Sequence, residues 1–148
     1  MFMEMGKIKP MVSFAFEARL QLKGRRKLKT FLALLCHKEN HRLHSLSIVF
    51  CSDDFLLEMN QFYLKHDYLT DIISFSLSEI SAIVEGELYI SIDRVRENAK
   101  TFEVSVNHEL HRVIFHGVLH FCGYDDKKKS QKLIMRKKED FYLKKYFG

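Results

Sequence analysis

The chain has 148 residues, 47% hydrophobic and 29% charged, proportions that suit one domain with its own core and exclude a low-complexity or disordered chain. One proline and six glycines exclude collagen-like or proline-rich character, and no apolar run approaches the roughly 20 residues of a membrane span. Lys and Arg number 24 against 19 Asp and Glu, a net charge of +5 that favours a polyanionic partner without identifying one. Residues 1–10 lack a long apolar block followed by a small-residue cleavage site, so the expected location is the cytoplasm. Three cysteines, Cys36, Cys51 and Cys122, are an odd number without a C-x-x-C pair and read as buried, reduced thiols.

The apolar stretch 11–16 predicts a strand, and 25–37 predicts a helix through Leu28, Phe31, Leu32, Leu35 and Cys36. A second such unit follows: a strand at 46–51, then Ser52-Asp-Asp as the cap of a helix reaching about Lys65. Residues 72–77 and 87–92 predict two strands joined through a connection containing Gly86, with hairpin-like pairing. Asp93 is the expected cap of a helix over 94–101, and Ser105 that of a longer one placing Val106, Leu110, Ile114, Val118 and Phe121 on one side. Gly123 ends that helix. The last helix, 130–146, carries Leu133, Ile134, Phe141 and Leu143 among Lys and Arg and should dock by those residues, its basic face outward. Phe31, Phe50 and Phe75 sit in apolar runs and read as core. The pattern predicts an α+β domain with α/β-like layers: one mixed sheet of about four strands packed with about five helices.

The segment His116-Gly-Val-Leu-His120-Phe-Cys-Gly123-Tyr-Asp125-Asp126 carries the chemistry. Two histidines four apart on a helix lie one turn apart on one face, within reach of a single ion. An isolated H-x-x-x-H pair is more often two polar residues on an amphipathic helix. Here Gly123 can adopt the left-handed turn that brings Asp125 or Asp126 back toward the pair, which favours a site. Two imidazoles and a carboxylate suit a divalent metal, zinc by default. Positions 116, 120 and 126 match the zincin spacing H-E-x-x-H-x-x-G-x-x-H, but Gly117 stands where a zinc peptidase has its general base, so proteolysis is disfavoured. His108 and His111 fail the five-residue zinc pattern because residue 112 is Arg, and read as surface or supporting residues. Cys122, two residues after His120, points off the histidine face and is not expected to ligate.

With these residues in place, the sequence resembles the YbeY family of rRNA maturation endoribonucleases, whose H-G-x-L-H-L-x-G-Y-D-H appears here as H-G-V-L-H-F-C-G-Y-D-D. Asn60-Gln-Phe-Tyr63, Asp67-Tyr-Leu-Thr70-Asp71-Ile-Ile-Ser74-Phe75 and Gly86-Glu-Leu-Tyr-Ile-Ser91 are similar to further family motifs in the same order. The chain departs from the pattern at Leu64, where the family has an Arg facing substrate, at Leu69 in place of Pro, and at Asp126 in place of a third His. The resemblance implies one YbeY-like domain over 1–148 with an extension at 1–10. It implies a metal-dependent, single-strand-specific endoribonuclease acting in small-subunit rRNA 3′ end maturation and ribosome quality control. Its implied partners are rRNA, the small ribosomal subunit, and ribosomal proteins or an assembly GTPase.

His116, His120 and Asp126 are then the expected ligands of one divalent ion, most simply Zn2+, with Asp125 as fallback ligand or base. Three ligands leave a position open for polarising a phosphoryl oxygen or acidifying a water. Metal hydroxide, Asp125 and the RNA 2′-hydroxyl all remain compatible with the residues as nucleophile or base. Lys65, the cation nearest the missing Arg, and Lys127, Lys128 and Lys129, next to the metal turn, are candidate phosphate contacts. Thr70, Ser74 and Phe75 line the cleft by family analogy, and Phe62 and Tyr63 are candidate base-stacking residues. Arg25-Arg-Lys-Leu-Lys29 and Arg136-Lys-Lys138 are further basic clusters that fit either a phosphate contact or a solvated helix face. A zinc hydrolase of another substrate, or a ribosome-binding factor with a structural metal, are the competing readings.

Overall fold

The computed structural model describes residues 9–65 and 70–148. Most of the expected extension, residues 1–8, and the 66–69 part of the second motif, including Leu69, lie outside the described residues. The described elements run β1 (Met11–Phe16), α1 (Arg25–Lys38), β2 (Arg42–Cys51), α2 (Asp53–Tyr63), β3 (Ile72–Ser76), β4 (Ile83–Ser91), α3 (Ile92–Thr101), α4 (Val106–Phe121) and α5 (Lys129–Phe147). The sheet order is β1-β2-β4-β3, with β1, β2 and β4 parallel and β3 antiparallel to β4 at the edge. This is the expected α+β architecture of four strands and five helices, with β3 and β4 paired as the predicted hairpin, although Gly86 lies within β4 and not in the connection.

Strand alternation decides which face each helix covers. Phe14, Ile48 and Leu88 stand in register across the sheet, as do Phe16, Phe50 and Ile90, and they build the main core with α1, α4 and α5. Cys51 and Ile73 face the other way, where Leu56 and Met59 of α2 cover them beside Phe75 and Tyr89. Phe50 is fully buried, and Phe31 and Phe75 are partly buried against the two clusters. All three cysteines are buried and unpaired, as expected.

Several boundaries differ from the sequence reading. β2 and β4 each begin four residues earlier, at Arg42 and Ile83, because the two strands pair with each other there and bring weak strand formers such as Ser45, Glu85 and Gly86 into the ladder. The α2 helix stops at Tyr63 rather than Lys65, which lies past the end with a left-handed φ of 55°. Ser91, not Asp93, caps α3: its Oγ accepts from the Arg94 N–H at 3.2 Å, while Asp93 accepts from the Asp53 N–H at 2.8 Å. Ser52 and Ser105 cap α2 and α4 as read from the sequence.

The largest correction concerns α5. Leu133, Ile134 and Phe141 are exposed, and the helix docks through Met135, Glu139, Tyr142, Leu143 and Tyr146. Of the four expected docking residues only Leu143 is buried. A charged residue takes the centre of the seam because α4 presents an arginine to receive it. His111 is also misread by the sequence: it is buried, stacks on Tyr146 at 4.9 Å, and donates Nδ1–H to the Asn107 carbonyl at 2.7 Å. His108 stacks on Phe147 at the same end of α4.

Gly86 is required by a close approach. A Cβ there would meet the Phe75 carbonyl oxygen at 2.7 Å and the Phe121 ring at 2.6 Å. Gly86→Ala should cost about 1–3 kcal/mol of unfolding free energy, measurable by denaturant titration. Burial holds the His111 imidazole below the ordinary histidine range, outweighing its hydrogen bond to Asn107. The unfolded chain therefore binds the proton first as pH falls. The stability His111 contributes is full above the ordinary histidine value and is lost as pH drops below it toward the depressed folded value. The unfolding free energy of wild type should accordingly fall relative to that of His111→Phe between pH 7.5 and pH 5.

Candidate metal centre

Helix α4 lies directly on the sheet because Gly117 leaves room for it. A Cβ at 117 would lie 2.7 Å from Ile72 Cδ1 and 2.7 Å from Leu88 Cδ2. Gly117 therefore faces the sheet, where a side chain has no room. On the neighbouring side, His116 and His120 are one turn apart with their Nε2 atoms 3.0 Å from each other. The helix ends at Phe121, Gly123 takes φ of 99°, and the chain turns back. That turn sets Asp126 Oδ2 3.2 Å from His116 Nε2 and Asp126 Oδ1 3.5 Å from His120 Nε2.

The donor set fits a divalent ion. Donors sharing one zinc at about 2.0–2.1 Å with tetrahedral angles are roughly 3.3 Å apart, and the separations here bracket that value. The three side chains are partly exposed, so the side of the group away from the core meets solvent. Asp125 is exposed and is not part of this converging group. Cys122 is buried and outside it too, as the sequence predicts.

Two networks that the sequence reading missed hold the site from behind. In the first, Arg112 clasps Glu109 with both fork nitrogens, at 2.8 and 2.7 Å, and reaches Glu139 Oε1 at 2.9 Å. The other oxygen, Glu139 Oε2, accepts His116 Nδ1–H at 2.6 Å. Glu109 and Glu139 are 1% and 2% exposed. Burial alone would raise the Glu139 carboxyl, but the hydrogen bond from His116 and the charge of Arg112 prevail and hold it below the ordinary range. Burial opposes protonation of His116, yet Glu139, Asp126 and Asp71 together pull it above the ordinary histidine range. Asp71, just before β3, lies 3.6 Å from Arg112, and its burial raises its carboxyl despite Arg112 and His116.

The second network anchors the turn. Tyr124 donates its hydroxyl to Glu39 Oε1 at 2.6 Å, and Tyr142 and Lys138 Nζ (3.2 Å) donate to Glu39 Oε2. Burial would raise Glu39, but the Tyr124, Tyr142 and Lys138 contacts outweigh it and hold the carboxyl below the usual range. The segment between His120 and Asp126 is thus tied to the end of α1. Glu139 gave no distinct signal in the sequence, because apolar residues lie on several sides of α5 and the stripe of Met135, Glu139, Tyr142 and Tyr146 is only one of the faces they allow.

The remaining candidates surround this centre unevenly. Lys127, Lys128 and Lys129 are exposed directly after Asp126. Ser74 is exposed on the edge strand, on the face of Ile72, whose side chain touches α4 at Gly117. Thr70 is half-buried and donates to the Ile72 carbonyl at 3.3 Å. Lys65 is exposed at the end of α2, next to Phe62 and Tyr63, whose exposed rings meet at 4.9 Å beside an open depression of about 590 Å3. Much of the other basic charge is engaged locally: Lys27 donates to the Tyr146 carbonyl, Arg25 lies over Phe16, Arg136 reaches Glu139 and Lys138 holds Glu39.

Residues 15–147 match the family described as Endoribonuclease YbeY. The chain belongs to the YbeY family. It is 46% identical over 130 residues to endoribonuclease YbeY of Cytophaga hutchinsonii, covering 88% of this chain and 91% of that one. It is 45% identical over 134 residues to endoribonuclease YbeY of Flavobacterium psychrophilum, covering 90% and 95%. The solution structure of a Thermotoga maritima protein superimposes with a TM-score of 0.63 at 28% identity, over 93% of this chain and 90% of that one. The four-stranded sheet with its histidine-bearing helix is therefore a YbeY architecture, and the motifs read from the sequence fall inside the matched region.

The anchoring of the turn has a measurable consequence. Tyr124→Phe should lower unfolding stability by about 1–2 kcal/mol and weaken zinc binding in a chelator competition. The exposed-face substitution Phe141→Ala should leave zinc affinity unchanged.

Proposed function

We propose that the protein is a metal-dependent endoribonuclease that cleaves single-stranded RNA in small-subunit rRNA maturation and ribosome quality control. The observation that carries this reading is the convergence of His116, His120 and Asp126 at the solvent-facing end of α4, in a chain of the YbeY family. These residues hold one divalent ion, zinc by the chemistry of two imidazoles and one carboxylate. Three protein ligands, where a structural zinc takes four, leave a place for substrate and favour catalysis over a purely structural metal. When bound, the metal supplies Lewis acidity that stabilises charge developing on phosphate oxygens.

The chain's own residues do the rest. Lys127, Lys128 and Lys129 draw the phosphate backbone toward the centre, and Lys65 extends the positive field at the end of α2. Phe62 and Tyr63 offer unstacked bases a ring surface beside Lys65. Thr70 and Ser74 border the path along the edge strand. Asp125, exposed beside Asp126, takes the proton-accepting role. Among the described residues no helix is long and apolar enough to cross a membrane. The site of action is the cytoplasm, with rRNA in the small subunit as substrate and ribosomal proteins or an assembly GTPase as partners. The whole of 1–148 acts as one domain.

The test combines metal analysis with cleavage assays. Wild type should hold one zinc per chain and cut single-stranded RNA but not peptides. Chelation should abolish cutting, and added zinc should restore it. His120→Ala should lose metal while retaining its circular dichroism spectrum; full zinc occupancy in that variant would overturn the ligand set. Neutralising Lys127, Lys128 and Lys129 together should weaken RNA binding and lower the log–log salt slope by about 2. Bound zinc with no RNA cleavage would instead favour a structural metal.

A further inference from the structure

We infer that Glu139, on the C-terminal helix, is the positioning residue for His116: it fixes the imidazole as its Nδ1–H tautomer and aims Nε2 into the donor triangle. The inference rests on the reading that His116 is a metal ligand and adds what makes it one. An imidazole has two nitrogens of similar basicity, and a flexible ring offers either to a metal. A partner that accepts a hydrogen bond from one nitrogen leaves the lone pair on the other. Here that partner is a carboxylate oxygen 2.6 Å from Nδ1, with Nε2 turned toward His120 and Asp126.

Glu139 can do this because its own position is fixed. It is 2% exposed and carries no conformational freedom toward solvent. Arg112 takes its other oxygen at 2.9 Å, and Arg112 is in turn locked by the two-pronged clasp on Glu109. The chain of contacts runs from the start of α4 through α5 and back to His116 on α4. A carboxylate placed only for docking α5 would be satisfied by Arg112 alone. The second oxygen's contact with the metal-facing histidine is what docking leaves unexplained. Through this one side chain the C-terminal helix is part of the metal site although it contributes no ligand.

Zinc affinity by competition with a chromophoric chelator, and the His116 tautomer by two-bond 1H–15N correlation in the metal-free protein at pH 9, test this on the full chain. Glu139→Gln keeps the shape and removes the charge. It should weaken zinc binding 10- to 100-fold and convert His116 from a single Nδ1–H form to a mixture. Leu143→Ala, one turn along the same helix and also buried, loosens docking without touching His116. It should lower the melting temperature while changing zinc affinity less than threefold. Should Glu139→Gln fail to fold, Glu139→Asp keeps the buried negative charge, shortens its reach toward His116 by one methylene, and carries the same two readings. Zinc affinity within threefold of wild type in the Glu139 variant, an unchanged tautomer, or an equal loss of affinity in Leu143→Ala would each overturn the inference. If His116→Ala binds zinc as tightly as wild type, the ligand set itself fails and the inference falls with it. If His116→Ala loses zinc but Glu139→Gln does not, only the positioning role is lost.

Discussion

Arg112 lies between two carboxylates that have almost no access to water, and the arrangement of α4 against α5 depends on it. Burying a carboxylate without a partner costs several kcal/mol, and removing one member of a buried pair typically costs about 3–5 kcal/mol. Glu139 can lie at the centre of the helix seam because the Arg112 fork, which also holds Glu109, reaches one of its oxygens and His116 the other. The apolar residues of α5 are spread around the helix, so hydrophobic burial alone allows more than one rotation about its axis. The buried charges select one. Leu133, Ile134 and Phe141 are left facing outward, and Met135, Tyr142, Leu143 and Tyr146 go inward with Glu139.

The same selection shapes the metal centre. Once α5 is rotated to bring Glu139 to Arg112, its second oxygen reaches His116. Tyr142, one turn further along, then reaches Glu39 together with Tyr124 from the turn after α4. Helix α4 itself is pressed onto the sheet by the absence of a side chain at Gly117. The three donors are thus held from the sheet, from α5 and from the end of α1, while their free side meets solvent. A site built on helices already fixed by a core can keep an open coordination position without collapsing, which catalysis at a metal requires.

The positive charge of the chain divides into two kinds. Lys27, Arg25, Lys138, Arg136 and Arg112 are occupied by carbonyls, rings or carboxylates of the fold itself. Lys127, Lys128 and Lys129 are exposed beside Asp126, next to the donors. The net charge of +5 is therefore not offered evenly: part of the cationic charge is engaged within the fold, and three exposed lysines follow Asp125 and Asp126 at the turn. Away from that turn, the rings of Phe62 and Tyr63 are exposed with Lys65 beyond them.

The strands, the helices and the two histidines with their glycine turn were legible in the sequence because they depend on local rules. Apolar alternation marks a strand, four-residue spacing sets two side chains on one helix face, and a glycine supplies the left-handed φ that reverses the chain. Family motifs carried the functional reading for the same reason, being short and contiguous. Asp126 could be placed beside the histidines because the turn that returns it is only a few residues long. What needed the tertiary structure were choices between residues distant in sequence. The starts of β2 and β4 were set by each other's backbone. The burial of His111 was set by Tyr146, and the inward face of α5 by an arginine 27 residues away from Glu139. A glutamate on an amphipathic helix reads as solvent-facing by its own chemistry. It becomes an interior residue and a partner of His116 only when a second helix brings a fixed positive charge to it, and helical periodicity does not encode that encounter.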